Sequence, residues 1–311
     1  MDLTYGSGTS TVHRAPPPRL ASRQVRIWAA IRLTRPWFWP LGWAGAYLGF
    51  VLASGRWTPP PGTIPATIAA AVVLGPLVWG AVLTVNDLHD LPSDRHNPRK
   101  ATAPLVTGVL TEADLRRCHR WCVGVAVAVA ATIGPAFVVG TAVVLLLGWL
   151  YSAPPVRLKG RAGADITVNA LVVGVLSPVA GWSLHRPVED YPVEMAVLGL
   201  LLAAALYVPT TVMDFAADAV AGEPTAAVRW KPRACYWLGL TLWSLATVVW
   251  LTCCHLDLIV RRDSWILQTV AAPILVAVYA AVTRKPSIPR MAVVSLAFAV
   301  PAADFLAAVV G

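Results

Sequence analysis

The chain has 311 residues, 57% of them hydrophobic and only 13% charged, with a formal net charge of +9. That composition excludes an average soluble domain and a disordered chain, and it points to a polytopic membrane protein. The cationic excess calls for no nucleic-acid partner, because membrane proteins gather Lys and Arg on their cytoplasmic face and against anionic lipid.

Residues 1 to 25 are rich in Pro, Ser and Arg, without an apolar core ahead of a small-residue cleavage site. They are expected to form a disordered cytoplasmic tail and not a signal peptide. After them, nine stretches are apolar enough to cross a hydrocarbon core, which takes about 20 residues. They lie near 27–53, 64–86, 114–132, 134–152, 165–184, 193–213, 234–254, 264–282 and 290–310. A very short turn at Gly134 and Pro135 makes the third and fourth an antiparallel hairpin. Nothing between the stretches is large enough for a soluble domain, so residues 26–311 read as a single all-α domain of nine transmembrane helices.

With the amino terminus in the cytoplasm, the Lys and Arg residues divide 21 to 4 in favour of that side, the four outside being Arg56, Arg186, Arg261 and Arg262. Losing or adding one span would scramble that asymmetry. The five cysteines, Cys118, Cys122, Cys235, Cys253 and Cys254, lie in or beside the spans. Cys118, His119 and Cys122 have no second pair at metal-ligand spacing and read as packing residues.

Chemistry enters at the end of the second span, "VNDLHDLPSDRHNPRK". Asp87, Asp90 and Asp94 are three and four residues apart, which places them along one helical face, with Asn86 beside them. Pro92 is expected to loosen or end the helix, leaving Asp94 in the loop. Hard oxygen donors suit Mg2+, which typically binds one or two carboxylates together with substrate phosphates. A solvated loop whose acids pair with Arg95 and Arg99 is the plainer alternative.

A second acidic pair, Asp214 and Asp218 in "TTVMDFAADAVAGEPTAAVRW", ends the sixth stretch. Four spans separate the pairs, an even number of crossings, so both clusters return to one membrane face. Ionisable groups at membrane depth are costly and usually functional. Between the clusters, "YSAPPVRLKGR" adds Tyr151, Arg157, Lys159 and Arg161 on the same side. Cations there stabilise charge developing on a leaving diphosphate. Each is also what a cytoplasmic loop carries for topological reasons, and adjacency to the acids favours Lys159.

The ordered set Asn86-Asp87-x-x-Asp90-x-x-x-Asp94, then Asp214-x-x-x-Asp218 with Gly222 and Thr225, resembles the two aspartate-rich motifs of the UbiA superfamily of intramembrane prenyltransferases. "YSAPPVRLKGR" is similar to the tyrosine-and-lysine motif between them, and "LTRPWFWPLGWAGAYLG" to the family's first helix. The resemblance covers residues 30 to about 300. It implies nine helices around a central cavity open to the cytoplasm and laterally to lipid, and Mg2+-dependent ionisation of an allylic isoprenyl diphosphate. By that resemblance Asn86, Asp87, Asp90 and Asp94, with Asp214 and Asp218, hold the ions. Lys159, supported by Arg95, Arg99 or Lys100, contacts the diphosphate, and Tyr151 lies near the scissile end.

One departure bears on the second half of the reaction. Many members read Arg-Pro-Leu-x-x-Gly after the first motif, whereas this chain reads "APLVTG" with Ala103 in the arginine's place. The allylic cation is expected to be captured by an aromatic or other small lipophilic acceptor. The alternative is a UbiA-type terpene cyclase, in which the cation is attacked by its own double bonds and steered by aromatic faces such as Trp37, Trp39, Trp43, Trp79 and Trp182. Tryptophan is also enriched at membrane interfaces, and transfer is preferred as the commoner activity. A transporter fits less well, because the acids sit at helix ends beside basic loops and not in broken mid-membrane helices.

Overall fold

A computed structural model describes residues 22–95 and 100–311, and among these it contains helices and no β-strand. In chain order the helices are α1 (Arg23–Leu33), α2 (Trp39–Ser54), α3 (Pro61–Asp94), α4 (Glu112–Ile133), α5 (Pro135–Ser152) and α6 (Ala164–Trp182). Then follow α7 (Val193–Ala221), the short α8 (Ala226–Trp230), α9 (Pro232–His255), α10 (Arg262–Thr283) and α11 (Ile288–Val310). The expected tail falls mostly on residues outside those described, and its last three residues, 23–25, are already in α1.

Seven of the described helices, α3, α5, α6, α7, α9, α10 and α11, are long and apolar enough to cross a membrane. The nine-span expectation is therefore met at seven places, and the two shortfalls have separate causes. The stretch 27–53 is not one helix. Thr34 ends α1, Arg35 takes a left-handed backbone (φ 46°), and Pro36 opens a short 3-10 turn before α2, which is only 16 residues long. Helix α4 has the length, but Glu112, Asp114, Arg116, Arg117 and Arg120 load its first turns with charge. The hairpin expected at Gly134 and Pro135 is present, with α4 ending at Ile133 and α5 starting at Pro135.

Helix α3 is the longest, 34 residues. Pro76 removes a backbone donor midway, the turns widen over Val73–Leu77, and the Trp43 indole N–H donates to the Ala71 carbonyl at 2.8 Å. The indole thus satisfies an acceptor in the disturbed turn. Pro92 does not end the helix, contrary to expectation. It falls so near the carboxyl end that few bonds depend on it, and Arg95 N–H still closes onto Leu91 O at 3.2 Å. All three aspartates consequently share one helix.

The helices form a ring in which sequence neighbours pack, and α11 returns to touch α2. Helix α2 also packs closely on the Ser177–Trp182 end of α6, away from the end where α6 begins beside the basic loop. Helices α6 and α7 meet backbone to backbone: a Cβ on Gly174 would lie 2.1 Å from Gly199 O. No larger residue allows that approach, and it draws the loop ahead of α6 toward the acidic end of α7.

Candidate active site

Asp87, Asp90 and Asp94 are 5%, 9% and 7% exposed at the end of α3. Three carboxylates so placed would repel unless cations lay among them. Those cations arrive from three separate segments. Arg35, in the break between α1 and α2, donates to Asp87 Oδ1 at 2.7 Å. Lys100, in the loop after α3, bridges Asp87 Oδ1 at 3.1 Å and Asp94 Oδ2 at 2.9 Å. Arg157 and Lys159, before α6, both donate to Asp90, Arg157 at 3.4 Å.

Arg157 carries the lattice across to the other acidic motif, because the same guanidinium group binds Glu223, just beyond α7. On α7 itself Asp214 and Asp218 are half-buried. The Thr225 hydroxyl donates to Asp218 Oδ2 at 3.1 Å, and Asp218 lies within electrostatic reach of Asp214, Glu223 and Lys159. The two acidic clusters, four helices apart in sequence, therefore meet across the loop that holds Arg157 and Lys159.

The remaining expected residues are distributed unevenly. Tyr151, at the end of α5, shares a 2.9 Å hydroxyl hydrogen bond with Tyr207 of α7. Asn86 is half-buried beside Asp87, and Arg95 is exposed at the end of α3. Arg99 lies outside the described residues. Ala103 N–H donates to Lys100 O at 2.8 Å, so the lysine that reaches two of the aspartates is one turn from the position where many members carry arginine.

Arg35, Glu223 and Tyr207 are site residues that the sequence reading did not single out. Arg35 stood in the quoted "LTRP" stretch and Glu223 directly after Gly222, but neither had a visible partner. The backbone at Arg35 and Arg157 offered no sequence signal. Both are left-handed, at φ 46° and 39°, a region few residues other than glycine occupy. Strained arginines of this kind gather where a fold over-determines them.

Among the described residues no three His, Cys, Asp or Glu side chains converge as a ready metal site. The donor set nevertheless suits a hard cation. All the acids offer oxygen, and the Lys100 ammonium already sits where Asp87 and Asp94 converge on one positive charge. The cysteines have no part in this site: all five are free thiols, and Cys118 and Cys122 lie one turn apart on α4.

Residues 42–299 match the UbiA prenyltransferase family. The chain is similar to a lycopene elongase/hydratase of Haloarcula japonica, 29% identical over 228 residues that span 70% of this chain and 72% of that protein. The structure resembles a UbiA homologue from Archaeoglobus fulgidus bound to GPP and Mg2+, with a TM-score of 0.69 at 23% identity, covering 91% of this chain and 99% of that one. It also resembles a digeranylgeranylglyceryl phosphate synthase, with a TM-score of 0.70 at 13% identity over 92% and 99% of the two chains. At such identities the structural likenesses establish the fold. The matched residues take in both acidic clusters and the basic loop between them, and the chain belongs to the UbiA prenyltransferase family, as an all-helical integral membrane protein.

Proposed function

We propose that this protein ionises an allylic isoprenyl diphosphate between α3 and α7 with the help of Mg2+. It then transfers the prenyl group to an aromatic or other small lipophilic acceptor. The amino terminus and the acidic ends of α3 and α7 face the cytoplasm, in keeping with the 21 to 4 division of Lys and Arg. The observation that carries the reading is the salt-bridge lattice of Arg35, Lys100, Arg157 and Lys159 on Asp87, Asp90, Asp94 and Glu223. It concentrates guanidinium and ammonium groups, the donors that match phosphate oxygens, in one partly buried place.

Asp87, Asp90 and Asp94 with Asn86, and Asp214 with Asp218, would hold Mg2+. When bound, the ion offsets carboxylate repulsion and neutralises charge on the leaving diphosphate. With their carboxylates otherwise balanced, Arg157, Lys159 and Lys100 exchange those partners for diphosphate oxygens. They stabilise the negative charge that builds as the allylic carbon–oxygen bond breaks. Arg95, at the end of α3, supplements them, and Arg99 is expected to do the same. The Tyr151–Tyr207 pair lies at the scissile end, where aromatic faces lower the energy of the allylic cation.

Transfer is preferred to cyclisation as the commoner activity of the family, and most of the tryptophans named for cation steering also have a place in the fold or at its surface. The Trp39 and Trp43 indoles donate to backbone carbonyls, Trp182 donates to Pro187 O under the Arg186 guanidinium, and Trp37 is 62% exposed. Of these five, Trp79, stacked on Phe38, has no such role. The test is incubation of purified protein with Mg2+ and geranyl, farnesyl or geranylgeranyl diphosphate, with and without an aromatic acceptor. Diphosphate release that requires the acceptor is expected. A cyclic hydrocarbon or alcohol formed without acceptor overturns the transfer step, and no Mg2+-dependent release overturns the ionisation step.

A further inference from the structure

Asp165, in the first turn of α6, is 1% exposed, and its two oxygens divide their bonds between the two loops that build the salt-bridge lattice. Oδ1 accepts the Gly163 and Ile166 N–H groups, each at 2.9 Å, which shapes the exit of the basic loop into α6. Oδ2 crosses 61 residues of sequence to accept the Ala226 N–H at 3.0 Å.

Ala226 is the first residue of α8, and Thr225 stands at that helix's N-cap with no side-chain capping bond. Such a threonine normally turns its hydroxyl oxygen to its own helix. Here Asp165 accepts from the first N–H of α8, a donor the N-cap side chain does not serve, and the Thr225 hydroxyl donates to Asp218 at 3.1 Å. One buried carboxylate thus sets the loop carrying Arg157 and Lys159 in register with the segment carrying Glu223 and Thr225. Oriented backbone donors and a charged acceptor make these bonds stronger than neutral ones.

We infer that Asp165 is a positioning residue for the diphosphate site, fixing the basic loop against the second acidic motif through its bond to the first N–H of α8. The inference rests on the proposed diphosphate chemistry, and its test separates the two. Geranyl diphosphate binding with Mg2+, turnover and thermal unfolding are measured on the purified full chain and on two variants. Asp165→Asn keeps an acceptor for Gly163 and Ile166 but turns an amide N–H2 toward the Ala226 N–H. Ala226→Pro deletes that N–H at a first helical position, where proline is well tolerated, after a residue with φ −62° and ψ 167° that suits a following proline.

Both variants are expected to raise KM and Kd for the diphosphate by roughly 10-fold or more, as loss of an outer supporting partner commonly does, in protein that still unfolds cooperatively. Should Asp165→Asn fail to fold, Ala226→Pro tests the same bond with Asp165 intact. Unchanged KM and Kd in folded variant protein, with only the active fraction reduced, overturns the inference and leaves Asp165 a packing residue. Wild-type protein that neither binds nor consumes the diphosphate overturns the proposed function, and the inference with it.

Discussion

The two acidic regions share residue type and position at helix ends, but they are stabilised differently. On α3 the three aspartates are buried and answered by Arg35, Lys100, Arg157 and Lys159. On α7 the acids are only half-buried, and Asp218 takes a threonine hydroxyl. Under the proposed function the first cluster therefore serves folding and chemistry together, since removing a carboxylate strands cations brought from distant segments. In the second, Asp218 is held by a hydroxyl and not by a cross-segment cation pair, so less of the fold depends on that carboxylate.

The broadest test of that contrast is chelation, which is expected to abolish turnover through both clusters and to be reversed by added Mg2+. Turnover that persists in chelator breaks the metal assignment on both helices. Next in size is Asp87→Ala, expected to lower turnover by about a thousandfold. It should also cost about 1–3 kcal/mol of stability, less than a fully buried pair because Arg35 and Lys100 keep some solvent exposure. Asp218→Asn is expected to reduce turnover by roughly a hundredfold while costing no more than about 1 kcal/mol, the worth of one hydroxyl bond. Equal losses of thermal stability in the two variants would erase the distinction.

Lys159→Ala follows, with turnover down about 10- to 100-fold, measured as kcat at saturating diphosphate. An unchanged kcat would remove Lys159 from the developing charge and confine it to pairing with Asp90. Smallest is Cys118→Ser, outside both clusters and expected to keep turnover within about twofold. A large loss in folded protein would add a third region to the comparison.

Much of the helical architecture was legible because apolar length acts along the chain. The acids of α3 were legible for the same reason, their spacing fixing one helical face. Pro92 was misread because sequence marks a missing donor but not how few bonds depend on it so near the helix end. The break at Arg35 was hidden inside an apolar stretch. Lys159, Lys100 and Arg157 were recognised as phosphate-binding types, whereas their carboxylate partners could not be read, since each pair joins segments that only the folded ring brings together. Asp165 was invisible for a similar reason: one aspartate at a helix start has no spacing signature, and its distinguishing bond is to a backbone N–H 61 residues away.

The left-handed backbone at Arg35 and Arg157 has a consequence for anyone redesigning this enzyme. A residue with a Cβ in that region costs roughly 1–2 kcal/mol relative to glycine, so a search for thermostability would be drawn to Arg35→Gly and Arg157→Gly. Those are the two guanidinium groups that reach Asp87, Asp90 and Glu223. Robustness and the proposed chemistry are set against each other at these two positions, and selection for a hardier scaffold alone would remove two of the cations that answer the clustered carboxylates.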